Sequence, residues 1–172
     1  MNILALDPAT WPIDFTVPTV PVAQPRPKAA SHAGVAHVYG AATGHAIHAF
    51  KATCVLAASG AYSGAQLEGP LSVVLEFVMP RPKMPKKSNP GRINRTVKPD
   101  CDNLAKSVLD ALSGRLFVDD KQVTCLVVSK QAAAVDELPH VRVRIRELFS
   151  FEAPVAAALA SEGLAERSPP CT

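Results

Sequence analysis

The stretch KPDCDNLAKSVLDALSGRLFVDDKQV, Lys98 to Val123, decides how the rest of the chain is read. Leu104, Val108, Leu109 and Leu112 recur at the spacing of one helical face, which makes Asp102–Ser113 the best helix expected in the chain. Asp102 is suited to cap its start, and Gly114 stands just past its end. Upstream, LSVVLEFVM (Leu71–Met79) is a β-rich apolar run closed by Pro80, Pro82 and Pro85, and it reads as a strand. Downstream, Val123–Lys130 and His140–Glu147 read as two more strands around the connector Gln131–Pro139. In the second of them Val141, Val143 and Ile145 alternate with Arg142, Arg144 and Arg146.

Further out, Phe15–Pro21 (FTVPTVP) alternates as a short strand whose prolines confine it to a sheet edge or a strand end. Gln24–Lys28 (QPRPK) reads as an extended basic loop. Ser31–Gly44, rich in Gly, Ala and His, reads as irregular. His45–Ala61 is a helix through Ile47, Phe50, Cys54, Ala57 and Ala58, ended by the region of Gly60 and Gly64. The order β-α-β-α-β-β predicts a single α+β domain with a small mixed sheet and two main helices. Residues 1–13 are expected to be a loose lead, 14–149 the folded domain, and 150–172 an Ala/Pro-rich tail.

A chain of 172 residues suits one domain, and at 48% hydrophobic it can bury a core, although only 5% is aromatic. Sixteen prolines against nine glycines disfavour long unbroken helices. No run approaches the roughly 18 apolar residues of a membrane span, and MNILALDPATWP has neither the charged lead nor the apolar core of an export signal. The cysteines at 54, 101, 125 and 171 have no C-x-x-C spacing and no histidine cluster beside them, so neither zinc nor a disulfide framework is expected. Cys54 and Cys125 read as small core residues, and all four as reduced thiols of a cytoplasm.

The net charge of +3 conceals a strong asymmetry. Arg81, Lys83, Lys86, Lys87, Arg92, Arg95 and Lys98 bring seven positive charges with no acid among them. Setting those seven aside leaves 11 basic against 15 acidic residues, an acidic body of net −4. One basic segment on an acidic body points to a polyanionic partner.

The acids are clustered too. Asp100 falls in the loop that enters the helix and Asp102 at the helix start, where the dipole favours ionised carboxylates. Lys106 lies one turn on, Asp110 continues that row, and Asp119 and Asp120 fall in the turn before the next strand. That turn would return to the helix start only if Gly114–Val118 were extended and retraced the helix. Converging carboxylates beside a basic segment suit a hard divalent cation, which can activate water and neutralise charge during displacement at phosphorus. Each piece has a plainer reading alone: Asp102 as a cap, Lys106 as an i,i+4 ion-pair partner, Asp119-Asp120 as a turn, the basic loop as a solvated excursion. The stripe of Arg142, Arg144 and Arg146 is evenly a solvent face or a second phosphate contact, and Cys101 between two acids is filler.

The segment Lys98-Pro99-Asp100-x-Asp102-Asn103-Leu104-x-Lys106, with Asp110-Ala111-Leu112 and Asp119-Asp120-x-Gln122-Val123, resembles the RusA family of Holliday-junction resolvases. Phe15-Thr-Val-Pro18-x-x-Pro21-Val22 and Gln24-Pro25-Arg26-Pro27-Lys28 extend the resemblance, which spans roughly residues 14 to 147. It implies a homodimeric endodeoxyribonuclease, dependent on Mg²⁺ with Mn²⁺ as a substitute, that nicks four-way DNA junctions symmetrically in the cytoplasm of a bacterial or phage-infected cell. It maps the catalytic residues onto Asp100, Asp102, Asp120 and Lys106, and metal ligands onto Asp100, Asp102, Asp119 and Asp120. The DNA contacts expected are Arg26, Lys28, Arg81, Lys83, Lys86, Lys87, Arg92, Arg95 and Lys98. Leu112 to Asp119 is slightly shorter than in the best-known members, Met84–Thr96 is longer, and the segment after Glu147 has no counterpart. Two other classes stay open at this stage: a DNA-binding module with structural acids, and a metal-dependent phosphoesterase acting on RNA or flap DNA.

Overall fold

The computed structural model describes residues 11–25, 28–32, 35–39, 42–83 and 89–148, with the backbone alone for 28–32 and 35–39. Five strands form one mixed sheet in the order β1 (Ile13–Val17), β7 (His140–Glu147), β4 (Leu71–Met79), β6 (Val123–Ala132), β5 (Ile93–Asn94). β4 and β6 are the parallel pair. They are also the pair joined through a helix, as parallel neighbours must be. The pairs β1–β7, β4–β7 and β5–β6 are antiparallel.

Helices α1 (Ala46–Ala61) and α2 (Cys101–Leu112) pack side by side on one face. They cover the inward rows Ile13, Phe15 and Val17 of β1, Val73, Leu75 and Phe77 of β4, and Val141, Val143 and Ile145 of β7. From α1 come Ile47, Phe50 and Cys54, and from α2 Leu104, Val108 and Leu112. β4 is buried on nearly its whole length, on both faces. A continuous apolar run is what a central strand requires. On the other face Arg142 pairs with Asp14 and Arg144 with Glu76, while Arg144 and Arg146 lie 5.6 and 5.0 Å from the Trp11 ring. Trp11 and Ile13 are buried, so the packed body includes the end of the expected lead.

The expected α+β domain with two helices and a mixed sheet is the one observed. Strand Leu71–Met79 and strand His140–Glu147 have the predicted ends, and the first helix differs by one residue. Three local readings change. β1 occupies Ile13–Val17 rather than Phe15–Pro21, because Pro18 and Pro21 cannot donate to a ladder. The region read as irregular contains an antiparallel ribbon, β2 (Lys28–His32) with β3 (Val35–Tyr39). β2 (KAASH) carries no apolar alternation, and in β3 (VAHVY) Val35 and Tyr39 fall out of step with Val38, yet main-chain pairing is open to any residue that keeps its N–H. Cys125 is half-buried on β6, not a core residue. Cys54 is in the core, where burial pushes its thiol up to about 12.

The start of α2 also moves. Asp100, not Asp102, is its N-cap, since the Leu104 N–H donates to the Asp100 carbonyl to close the first turn. Past the other end, Gly114 takes the left-handed φ of +73° that glycine adopts without cost to a Cβ. Residues 113–117 then form a tight turn, with Leu116 N–H to the Leu112 carbonyl and Gly114 N–H to the Phe117 carbonyl. Leu116 and Phe117 plug the core beneath it.

Candidate active site

The N-terminal end of α2 gathers the first pair of acids. Asp100 has extended backbone (φ −77°, ψ 151°) and its carboxylate makes no cap hydrogen bond. Asp102, in the first turn, is exposed. Among the described residues no cation pairs with either carboxylate, and both stand at the helix end whose dipole attracts anions. Their backbone is anchored from two directions. Lys130 Nζ donates to the Pro99 carbonyl at 2.6 Å and the Val97 carbonyl at 3.0 Å, and the Gln24 N–H donates to the Asn103 carbonyl at 2.9 Å. Lys98, Pro99, Asp100 and Asn103 line an open hollow of about 450 Å³ there.

Lys106 sits one turn further along, still largely exposed. Its ammonium is 3.2 Å from Asp110 Oδ1, and Lys51 lies 3.2 Å from Asp110 Oδ2. Asp110 is thus bracketed by two lysines and holds Lys106 beside the acids rather than joining them.

Asp119 and Asp120 stand elsewhere. The linker before them is the tight turn, not the extended strand that would retrace the helix. They enter β6 beside the start of β4, whereas Asp100 follows a loop tied to Lys130 near the far end of β6. The 12 residues of α2 separate the two acidic pairs by about 18 Å along the helix axis. Among the described residues no three Asp, Glu, His or Cys side chains lie close enough to hold a metal ion together.

The two acids of this second pair differ. Asp119 caps the 3₁₀ turn Asp120–Gln122: its Oδ1 accepts from the Lys121 N–H at 2.9 Å, while Gln122 Oε1 accepts from the Asp119 N–H at 2.9 Å. That backbone hydrogen bond from Lys121 holds the Asp119 carboxyl below its ordinary range. Gln122 Nε2 also donates to the Leu67 and Gly69 carbonyls, 3.0 Å each, welding the turn to the approach to β4. Asp120 is exposed, and among the described residues no cation pairs with its carboxylate. Gln122 was absent from the candidate residues, although the spacing Asp119-x-x-Gln122 is a capping-box signature.

The cations divide as well. Arg81 donates to the Gly91 carbonyl at 2.9 Å, the Ala133 carbonyl at 2.8 Å and the Asn89 carbonyl, which staples the basic loop to the sheet. Arg92 Nε reaches both oxygens of Glu137 at 2.9 Å and draws that carboxyl down to about 2, helped by the Ala134 N–H. Arg95 reaches the Pro80 carbonyl at 3.4 Å. Lys83 and Lys98 are exposed with no acid in ion-pair range among the described residues. Arg26, Lys86 and Lys87 lie outside the described residues, as does the side chain of Lys28. In the stripe on β7, Arg142 and Arg144 are neutralised by Asp14 and Glu76.

A family model described as "Endodeoxyribonuclease RusA" matches residues 18–146. The uncharacterized protein YqaN of Bacillus subtilis (strain 168) is 36% identical over 143 residues, 79% of this chain and 96% of that protein. That match covers well over half of the chain and assigns its fold to an endodeoxyribonuclease family. The chain belongs to the RusA family.

Proposed function

We propose that this protein is a Mg²⁺-dependent, structure-specific endodeoxyribonuclease that resolves four-way DNA junctions by paired symmetric nicks, acting as a homodimer. The observation that carries this reading is the pair of unengaged carboxylates, Asp100 and Asp102, anchored at the N-terminus of α2 with Lys106 one turn away. Their all-oxygen donor set fits Mg²⁺, which takes one or two protein carboxylates plus substrate phosphate. Held by Asp100 and Asp102, such an ion would supply water activation and charge neutralisation at the phosphoryl group. Lys106 adds a fixed positive charge next to the developing negative one. Water adds at phosphorus, the bond to the leaving sugar oxygen breaks, and that oxygen takes up a proton.

Asp120 joins this site from a second copy. A ligand must come within about 2.1 Å of Mg²⁺, while α2 holds the two acidic pairs of one chain some 18 Å apart. Two-fold symmetry then provides two composite sites, as symmetric nicking of a four-way junction requires. The free carboxylate of Asp120, against the capping role of Asp119, favours Asp120 as the ligand. Shape and phosphate contacts from Lys83 and Lys98 serve recognition without base readout. The proposed setting is the cytoplasm of a bacterial or phage-infected cell. No helix among the described residues is long and apolar enough to cross a membrane.

A DNA-binding module with structural acids would engage its carboxylates within the fold, as Asp110 and Asp119 are engaged. Among the described residues Asp100, Asp102 and Asp120 pair with no cation. The decisive experiment sets four-way junction, flap, duplex and RNA substrates against the protein with Mg²⁺. Paired nicks in the junction are expected, and cleavage of flap or RNA with the junction intact overturns the proposal.

A further inference from the structure

Helix α1 contributes none of the proposed site residues, yet it reaches the site at one point. α1 and α2 pack against each other. Between them Lys51 Nζ donates to Asp110 Oδ2 at 3.2 Å, and Lys106 Nζ donates to Asp110 Oδ1 at 3.2 Å. One carboxylate thus bridges two ammonium groups, one from each helix. The two lysines are unequal. The Lys51 side chain is 26% exposed and that of Lys106 58%. Lys51 follows the buried Phe50 and lies one helical turn from both Ile47 and Cys54, which are buried too. Its stem therefore starts from the anchored side of α1, whereas Lys106 reaches toward solvent one turn past Asp102.

We infer that Lys51 is a positioning residue for Lys106, acting through Asp110. The inference rests on the role given to Lys106 in the proposed reaction and names what sets that lysine in place. An exposed i,i+4 pair of lysine and aspartate is weak by itself, and the long lysine stem is flexible. A carboxylate held at one oxygen from a second helix is a different anchor. With Oδ2 tied to Lys51, the plane of Asp110 is set by the packing of α1 on α2, and Oδ1 stays aimed at Lys106.

Charge acts in the same direction. A lysine paired with its own aspartate is neutral as a unit, while two lysines sharing one aspartate keep a net +1. Positive charge fixed before the reaction stabilises a developing anion without reorganisation during it. Lys51 thus does two things for Lys106: it fixes the carboxylate that holds it, and it offsets the charge that would cancel it.

Single-turnover cleavage of a four-way junction with Mg²⁺ by the full chain tests this role. Lys51→Met keeps the stem and removes the charge, and should slow cleavage about tenfold at saturating protein with junction affinity kept. Lys51→Arg can still hold Oδ2 and should restore the rate; Lys51→Gln is the companion variant should Lys51→Met perturb α1. Added to Lys106→Ala, Lys51→Met should not lower the residual rate further, because its effect passes through the missing lysine. The slope of log affinity against log salt should stay at its wild-type value in Lys51→Met. A slope reduced by about 1 would make Lys51 a phosphate contact and overturn the inference. The NMR order parameter of the Lys106 ε-methylene, read without DNA, should fall in Lys51→Met and return in Lys51→Arg. Cleavage unchanged in both Lys51→Met and Lys51→Gln, no rescue by Lys51→Arg, an additive loss in the double variant or an order parameter that does not fall overturns the inference. Where Lys106→Ala leaves no measurable rate, the salt slope and the order parameter decide. A wild type that cuts no DNA overturns the proposed function, while the order parameter still judges whether Lys51 positions Lys106.

Discussion

The two ends of α2 carry the same residue type in opposite states. At the N-terminal end Asp100 and Asp102 hold no ion-pair partner among the described residues, although a cap position normally engages its side chain with the first-turn N–H groups. Past the C-terminal end, Asp119 is fully engaged in a capping box and Asp120 beside it is not. A carboxylate bonded to its own backbone stabilises a turn; one left unbonded retains its lone pairs for a ligand. The basic residues divide along the same line: Arg81 and Arg92 are tied to the protein's own carbonyls and to Glu137, while Lys83 and Lys98 meet no acid among the described residues. In the proposed reading, side chains that face outward without a partner among the described residues locate the working surface more sharply than charge counting does.

The largest effect that could break this comparison is on cleavage. A metal ligand contributes several kcal/mol of transition-state stabilisation, so Asp102→Asn and Asp120→Asn should each slow single-turnover junction cleavage by about 10³-fold with junction affinity kept. Asp119→Asn, which still caps, should cut nearly normally, and Asp119→Ala should lower the thermal midpoint more than it slows cutting. Equal losses of cleavage at Asp119→Asn and Asp120→Asn would erase the distinction drawn between them.

A smaller effect concerns salt. Lys83→Ala and Lys98→Ala should each reduce the slope of log affinity against log salt by about 1, measured by titration of labelled junction. Arg92→Ala should leave that slope unchanged and lower thermal stability instead. A reduced slope for Arg92→Ala would return the arginine to the DNA surface.

The smallest effect expected is the pH dependence of the Arg92–Glu137 pair. Glu137 is depressed in the folded state from 4.5 to about 2, so its contribution is complete above about 4.5 and fades as pH falls toward 2. Glu137→Gln should therefore be less stable than wild type in thermal unfolding at pH 6, with the gap closing near pH 2. A gap of constant size across that range would show that the pair contributes no charge-dependent stability.

Much of the fold was legible because its signals are local. The apolar face of α2, the β-branched run of β4 and the Val/Arg alternation of β7 each state their period within a dozen residues, and each became the element it predicts. The first half of the proposed site was legible for the same reason, since Asp100, Asp102 and Lys106 lie within two helical turns. The ribbon β2–β3 was not, because KAASH has no apolar alternation and Val35, Val38 and Tyr39 of β3 do not share one alternating row. Nor were the roles of Arg81 and Arg92, whose partners Ala133 and Glu137 lie 52 and 45 residues away.

The sequence by itself determined the α+β class, the helix that presents Asp100 and Asp102, the basic segment ahead of it, and the motif that marks the family. Tertiary structure decided which of those charges are free and where the second acidic pair stands. The reason is geometric. Spacing along a helix is set by its 1.5 Å rise, but the path of residues 113–118 depends on Leu116 and Phe117 finding the core. That packing closes the turn at once and leaves Asp119 and Asp120 at the far end of α2.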